Sequence, residues 1–241
     1  MQNNTPYHRE EVIGVIKQIE RENYRDTSGG FELIYQVAKW VRLLPQGDRD
    51  EVISVLLHQL ETGGDYGDLA PFVIAELADT RYIQQLLTLL PQLRKRSNRS
   101  EQGGRSLYDI AIISIAKHLC NEAVRTVLLD RIRELMHRKD STAFYLMGIL
   151  LRWGQAEDIA FFTDVLMNEE VRHLMSSENT HIEQFLYAYC TDGAGQTLDA
   201  LLKEIAKVSE DISRWLSDLI TTRFSQNPLL SQLCGNNQRR I

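Results

Sequence analysis

The chain repeats one pattern: an apolar helix, a short turn rich in Asp, Asn or Gly, and a second apolar helix. In "VIAELADTRYIQQLLTLLPQL", residues 73–93, apolar side chains recur every three or four positions on both sides of the turn, which predicts two amphipathic helices. Five turns of this kind follow one another. The last large apolar residues before them are separated by 33, 42, 34 and 36 positions: Leu44, Leu77, Leu119, Trp153 and Tyr189.

A single helical hairpin cannot bury its apolar stripes, whereas stacked hairpins can, and a period in the thirties to low forties is typical of such arrays. Strand-like alternation is nearly absent from the sequence. We therefore predict an all-α fold, a right-handed α-solenoid of about five to six helical hairpins. The predicted helices lie at about residues 8–22, 29–44, 48–61, 68–79, 81–94, 106–120, 122–138, 141–153, 156–168, 180–190, 195–207 and 209–224.

The length of 241 residues, with 43% hydrophobic residues, suits one continuous array, and we predict a single domain over 1–241. The polar stretch "RKRSNRSEQGGRS", 94–106, explains the longest spacing as an inserted loop. Within it, 95–105 has no apolar anchor and is expected to be mobile and open to proteases. Residues 235–241 are predicted to form a flexible tail.

The phrase "PFVIAELADTRYIQQLLTLL" resembles a HEAT or HEAT-like repeat. It has a proline early in the first helix, Ala-x-Leu near the helix end, an aspartate at the turn and Leu-Leu on the second helix: Pro71, Ala75, Leu77, Asp79, Leu86 and Leu87. The arginine that family members often carry after the turn aspartate is replaced by Gln85. The resemblance covers about 33–205 and implies the architecture of a HEAT-like scaffold, which does not by itself specify an activity.

Motifs for phosphate loops, dinucleotide binding, zinc proteases and serine hydrolases are absent, so we predict a protein that is not an enzyme and uses no cofactor or metal. Cys190 with His181 is the most plausible nucleophile and base, but nine positions along a helix separate them by about 13 Å. We interpret His58, beside an apolar stripe, as partly buried with a hydrogen-bonded ring.

The three cysteines, Cys120, Cys190 and Cys234, are odd in number and lack the C-x-x-C spacing. This argues against a disulfide framework and a zinc module and favours buried, reduced thiols. The longest apolar runs are too short to span a bilayer, and the N-terminal segment does not resemble a signal peptide. We expect a cytoplasmic protein that does not enter a membrane.

Charge is arranged in three blocks. Residues 1–93 hold 8 Lys and Arg against 14 Asp and Glu, residues 94–139 hold 11 against 5, and residues 140–241 hold 8 against 14. The net charges of these blocks are −6, +6 and −6. The basic block is either a solvated face or a docking patch for an acidic protein segment or a phosphate. The candidate partner-binding residues are Arg94, Arg96, Arg99, Arg105, Arg125 and Arg133.

Helical-wheel positions predict the environment of several side chains. Arg131 falls on the apolar stripe of its helix and is expected to snorkel or to form a structural ion pair, while Arg125 and Arg133 point away from that stripe. Tyr187 and Tyr189 lie on different faces of one helix, so one of them is expected to be exposed.

Three classes of function remain. The leading hypothesis is a non-enzymatic protein–protein interaction module, a scaffold or adaptor, or a toxin-neutralising immunity protein whose acidic ends pair with a basic toxin. The second is a nucleic-acid-binding protein resembling the HEAT-like alkylpurine DNA glycosylases, although the net charge of −6 disfavours nucleic acid. The third is an enzyme accessory similar to HEAT-like bilin lyase subunits.

Overall fold

The computed structural model describes residues 8–21, 30–64, 67–97, 106–177, 179–191 and 197–237. These residues form fourteen α-helices and one short 3₁₀ helix, Gly67–Leu69, with no strand among them. The helices are α1 Arg9–Arg21, α2 Gly30–Leu43, α3 Gln46–Thr62, α4 Ala70–Leu77, α5 Thr80–Ser97, α6 Leu107–Ala116, α7 Glu122–His137, α8 Thr142–Leu151, α9 Ala156–Met167, α10 Glu169–Ser177, α11 Asn179–Cys190, α12 Leu198–Val208, α13 Glu210–Gln226 and α14 Pro228–Asn237.

The all-helical class and the twelve predicted helices are confirmed, with ends that differ by a few residues. All five predicted turns coincide with breaks between helices. Helix α5 continues to Ser97, so the predicted loop at 94–106 begins inside a helix, and its residues 98–105 lie outside the described residues. Helix α14 includes residues 235–237 of the predicted tail, while 238–241 lie outside the described residues.

Helices α10 and α14 were missed because neither carries a long apolar run. Their signals lie instead in the residues that cap them. The side chain of Asn168 accepts a bond from the Glu170 amide, 2.9 Å, at the start of α10. Asn227 caps α14 in the same way and is followed by Pro228, a residue suited to the first helical position.

The chain packs as two compact units, 1–124 and 125–241. In the first unit, α1 packs on α2 and α3, α2 on α3 and α4, α3 on α4 and α5, α4 on α5 and α6, and α5 on α6. Each helix thus contacts the next and the next but one. This is the contact pattern of stacked hairpins, with α1, α3 and α5 in one layer and α2, α4 and α6 in the other.

Specific residues mark the ends and the beginnings of helices in the first unit. Gly63 ends α3 in the left-handed conformation, φ 75°, as expected of a glycine at that place. Asp79 lies in the turn between α4 and α5 and accepts a bond from the Arg81 amide, 3.0 Å. Ser106 and Asp109 form a reciprocal capping box at the start of α6.

In the second unit, the most deeply buried element is α8, in which all ten residues are buried. It packs chiefly on α11, which in turn contacts α10, α13 and α14. Gly148 allows α8 and α11 to approach closely, since a Cβ built there would lie 2.5 Å from the carbonyl oxygen of Phe185 and 2.8 Å from the Cβ of Ala188. A side chain of any size at this position would push the two helices apart.

Aromatic rings fill the space around α11. Phe185 stacks on Phe162 of α9, with ring centroids 5.2 Å apart, and on Tyr189, 6.1 Å away. Burial raises the pKa of Tyr189. Tyr187 is 50% exposed, so the prediction that one of the two tyrosines faces outward is confirmed.

Helix α14 is joined to α11 by a covalent bond that the sequence did not predict. Cys190 and Cys234 form a disulfide, with their Cα atoms 5.0 Å apart. Our interpretation of these cysteines as reduced thiols was wrong, because the fold brings together two positions that lie 44 residues apart. Cys120 lies outside this disulfide, and it is exposed rather than buried as predicted.

A polar cluster strengthens the same junction. Glu183 Oε1 accepts bonds from the side chains of Asn227, 2.8 Å, and Arg223, 2.9 Å from its Nε. These two donors hold the pKa of Glu183 below its usual range, so its charge persists at neutral pH.

Replacing Gly148 with alanine tests the α8–α11 contact. Overpacking costs about 1–3 kcal/mol and should exceed the gain of about 1 kcal/mol that alanine brings to a helix interior. Urea unfolding should therefore show a net loss of stability. Gly14→Ala in α1, where a Cβ meets nothing within 4 Å, should leave stability unchanged or raised. A Gly148→Ala protein as stable as the wild type would contradict the close approach.

Removing the disulfide should destabilise the second unit. Opening a loop of 44 residues costs up to about 4 kcal/mol through the entropy of the unfolded chain. The Cys190→Ser/Cys234→Ser protein should melt well below the wild type under non-reducing conditions, whereas Cys120→Ser should melt at the wild-type temperature. If a reductant leaves the wild-type melting temperature unchanged, the bond does not contribute to stability.

Candidate functional site

The first unit carries a surface groove of about 560 Å³ between α3 and α5. Each helix forms one wall of the groove, and most of the side chains along the walls are polar and exposed. Its volume lies within the range of ligand-binding clefts. The lining residues are Asp50, Ser54, Leu57, His58, Glu61, Arg81, Tyr82, Gln85, Thr88 and Leu89.

One end of the groove is fixed by a hydrogen-bond network. The buried Tyr82 donates its hydroxyl proton to Asp50 Oδ1, and the Gln46 side-chain amide donates to the same oxygen, 2.7 Å. The bond from Tyr82 holds the pKa of Asp50 below its usual range, while burial raises the pKa of Tyr82. At neutral pH the groove therefore presents a positioned, ionised carboxylate beside a protonated phenol.

The cation of the groove is already paired. Arg81 binds Asp79 through two contacts, from Nε to Oδ1, 3.2 Å, and from Nη2 to Oδ2, 2.7 Å. This pairing holds the pKa of Asp79 below its usual range. Because the charge of Arg81 is balanced locally, the carboxylates of Asp50 and Glu61 give the groove a net negative charge.

Sequence reasoning did not find this groove. Its walls come from helices about thirty positions apart, and only their side-by-side packing brings the lining residues together. The prediction for His58 was wrong in one respect: the side chain is exposed along the groove and not partly buried. Its apolar neighbours point instead toward the layer beneath.

The predicted partner-binding arginines fall in different settings. On α5, Arg94 is exposed, with its guanidinium carbon 5.9 Å from the centre of the Tyr108 ring. Arg96, two positions on, reaches back to α3 and donates to the carbonyl oxygen of Leu60. Arg99 and Arg105 lie outside the described residues.

The two candidates on α7 also differ. Arg125, predicted to point away from the apolar stripe of α7, binds Asp158 of α9 at 2.7 Å, and these side chains are only 22% and 1% exposed. The carboxylate of Asp158 on α9 therefore lies beside this face of α7. Arg133 is 59% exposed and lies over the Phe161 ring, 5.3 Å from its centre. Of the two outcomes predicted for Arg131, snorkelling or a structural ion pair, the structure has the ion pair, with Glu134 at 2.8 Å.

Several other contacts balance the basic block. Arg133 lies 3.3 Å from Asp130, Arg138 lies 2.8 Å from Glu134, and Lys139 lies 2.6 Å from Glu170 of α10. The positive charge of residues 94–139 is thus partly matched within the fold. A partner-binding role for the six arginines stays a prediction, and Arg94 and Arg133 are the described candidates with the greatest access to solvent.

The residues considered for cysteine catalysis are engaged in structural contacts. Cys190 belongs to the disulfide, and His181 is buried, with its Nδ1 2.7 Å from the Leu174 carbonyl oxygen and its ring 5.3 Å from that of Phe144. Among the described residues, no three His, Cys, Asp or Glu side chains form a group suited to a metal ion. None of the helices in the described ranges is long and apolar enough to cross a membrane.

Comparison with protein families, with curated proteins and with solved structures finds no match for this chain.

The different settings of Arg125 and Arg133 give a test of the second unit. Arg125→Met removes an ion-pair partner from the buried Asp158 and should lower the free energy of unfolding by about 3 kcal/mol. Arg133→Met, which disrupts an exposed pair, should change it by less than about 1 kcal/mol. Urea titrations of both proteins measure the difference. Equal stabilities would mean that the Arg125–Asp158 pair is not structural.

Proposed function

We propose that this protein is a non-enzymatic protein-binding module built as a HEAT-like, right-handed α-solenoid of five to six hairpins. The pattern of helix contacts in the first unit supports the solenoid, because each helix contacts the next helix and the next but one. Stacked hairpins leave shallow grooves between parallel neighbours on their outer face, and such surfaces suit recognition of another polypeptide.

The observation that carries the proposal is the α3–α5 groove. It combines half-buried leucines, hydrogen-bonding side chains and an ionised carboxylate that is held in place by a buried tyrosine. Fixed polar groups around apolar contacts are what protein interfaces use to combine affinity with specificity. An adaptor and a toxin-neutralising immunity protein are both forms of this proposal.

The proposal also concerns the basic residues. The exposed Arg94 and Arg133, with Arg99 and Arg105, would contact acidic surface on the partner, and the acidic regions would contact basic surface. Arg96 and Arg125 are set aside from that role, because their side chains support packing. Rim charges of this kind act mainly on the association rate and lose effect as salt rises.

The cytoplasmic location stays a prediction, and the disulfide bears directly on it. Disulfides persist mainly in oxidising compartments and are uncommon in the cytosol, where thiols are kept reduced. The oxidation state of Cys190 and Cys234 in protein trapped by acid quenching from its host would measure which environment the chain occupies.

Affinity capture from the source organism tests the proposed function. The tagged wild-type protein should retain one polypeptide in near-stoichiometric amount. A variant with Arg94, Arg99, Arg105 and Arg133 changed to glutamate should associate with the purified partner about tenfold more slowly at low ionic strength. Biolayer interferometry at two salt concentrations measures that rate.

A matched control reverses four exposed cations elsewhere: Lys39, Lys203, Lys207 and Arg214. This variant should associate at the wild-type rate if position matters more than total charge. If both variants associate with the partner equally slowly, the effect depends on the net charge of the protein and not on the position of the arginines. If the wild-type protein retains no polypeptide above the background of the bare matrix, the protein-binding function is wrong.

A further inference from the structure

We propose that the α3–α5 groove binds an extended peptide segment of the form basic–x–apolar–x–basic, with its cations on Asp50 and Glu61 and its apolar side chain between them. This inference rests on the proposed protein-binding function and names the chemistry of its partner. It is carried by the charge of the groove, by its length and by the composition of its floor.

The charge of the groove selects a cationic ligand. Both bonds from Tyr82 and Gln46 to Asp50 end on Oδ1, so its Oδ2 is left to accept a bond from a ligand ammonium or guanidinium group. Glu61 lines the other end of the groove and is exposed. Arg81 offsets only part of this charge, since Asp79 binds its guanidinium through Nε and Nη2 and balances it locally. The same carboxylates repel nucleic acid, whose phosphates demand basic residues.

The length of the groove fits a short peptide. Asp50 and Glu61 lie eleven positions apart on α3, which corresponds to about 16 Å along a helix. Two residues four positions apart on an extended chain are separated by about 13 Å and point to the same side. The flexible stems of lysine or arginine span the remaining distance, so cations at the first and fifth positions reach both carboxylates.

The floor of the groove supplies the apolar contact. Leu57 and Leu89 are half-buried, and their positions on α3 and α5 place them between the two acidic ends. An extended chain with cations at its first and fifth positions places its third side chain on the same face. That third side chain meets the leucines, and burying it adds affinity that salt does not screen.

Hydrogen-bonding side chains flank the path that the peptide backbone would take. Ser54 and Gln85 are exposed along the groove, one on each wall. Thr88 donates its hydroxyl proton to the Gln85 carbonyl, 2.7 Å, so its oxygen remains an acceptor for a peptide N–H. An extended ligand needs such partners because its backbone groups have none of their own.

Fluorescence polarisation with labelled heptapeptides tests the inference. The probe GKSLSKG should bind the full-length wild-type protein at about 20 mM ionic strength, and GESLSEG should not. GKSGSKG, which lacks the apolar side chain, should bind about three- to tenfold more weakly. The affinity that GKSGSKG loses is that of one apolar contact, and the affinity that GESLSEG loses is that of two exposed charge pairs. GKSLSKG that binds no better than GESLSEG overturns the proposal.

Conservative variants locate the site. Asp50→Asn with Glu61→Gln removes both charges but keeps an acceptor for Tyr82, and should weaken GKSLSKG about three- to tenfold. Glu157→Gln with Asp164→Asn, two exposed acids on α9, makes the same change of net charge and should leave binding unchanged. Ser54→Lys places a cation in the groove at an exposed position and should weaken the probe without affecting the fold. Unchanged binding in both groove variants overturns the proposal.

Three further outcomes are decisive. Spermine also carries separated cations, and if it displaces GKSLSKG and binds more tightly than the peptide, the groove is a polyamine site and not a peptide site. If affinity capture succeeds while the groove variants have no effect on GKSLSKG, protein binding stands and another surface carries it. If capture and peptide binding both fail, the groove and the proposed function fail together.

Discussion

Burial of each helix's apolar stripe against the next helix and the next but one is the interaction on which the first unit depends. No hairpin can cover its own stripes, so α3 is completed by α1 and α5 as much as by its neighbours in sequence. The α3–α5 groove is a product of this packing. Because two rounded helices meet along one line, their exposed edges leave a channel, and the side chains beside that line become its walls.

The second unit shows how close such packing becomes. Helix α8 has no exposed residue, and Gly148 lets the backbone of α11 approach within the distance that a methyl group would occupy. The disulfide and the Glu183 cluster then join α14 to α11. Contacts along α11 therefore combine apolar burial, a covalent bond and charge-assisted hydrogen bonds, which differ in their response to temperature, reductant and pH.

Which charged residues pair in this protein depends on the fold more than on their positions in the sequence. The basic block of residues 94–139 looks like a continuous positive segment, yet Asp158 and Glu170 come from other helices to pair with Arg125 and Lys139. The exposed Lys139–Glu170 pair contributes little to stability, unlike the pair with the buried Asp158, but both pairs reduce the positive potential that a partner meets. The negative charge of the α3–α5 groove survives because the one cation in it is held by Asp79.

The sequence by itself determined the helical class, the twelve predicted helices and the five turns, because amphipathic spacing and turn residues such as Asp79 act locally. It also predicted that one of two tyrosines faces solvent, and it left snorkelling and an ion pair open for Arg131. Only the tertiary structure decided that Cys190 meets Cys234, that Arg125 pairs with the buried Asp158 and that Asp50 and Tyr82 share a groove. The physical reason is that each of these pairs joins residues more than thirty positions apart, and a one-dimensional pattern holds no information about which helices become neighbours.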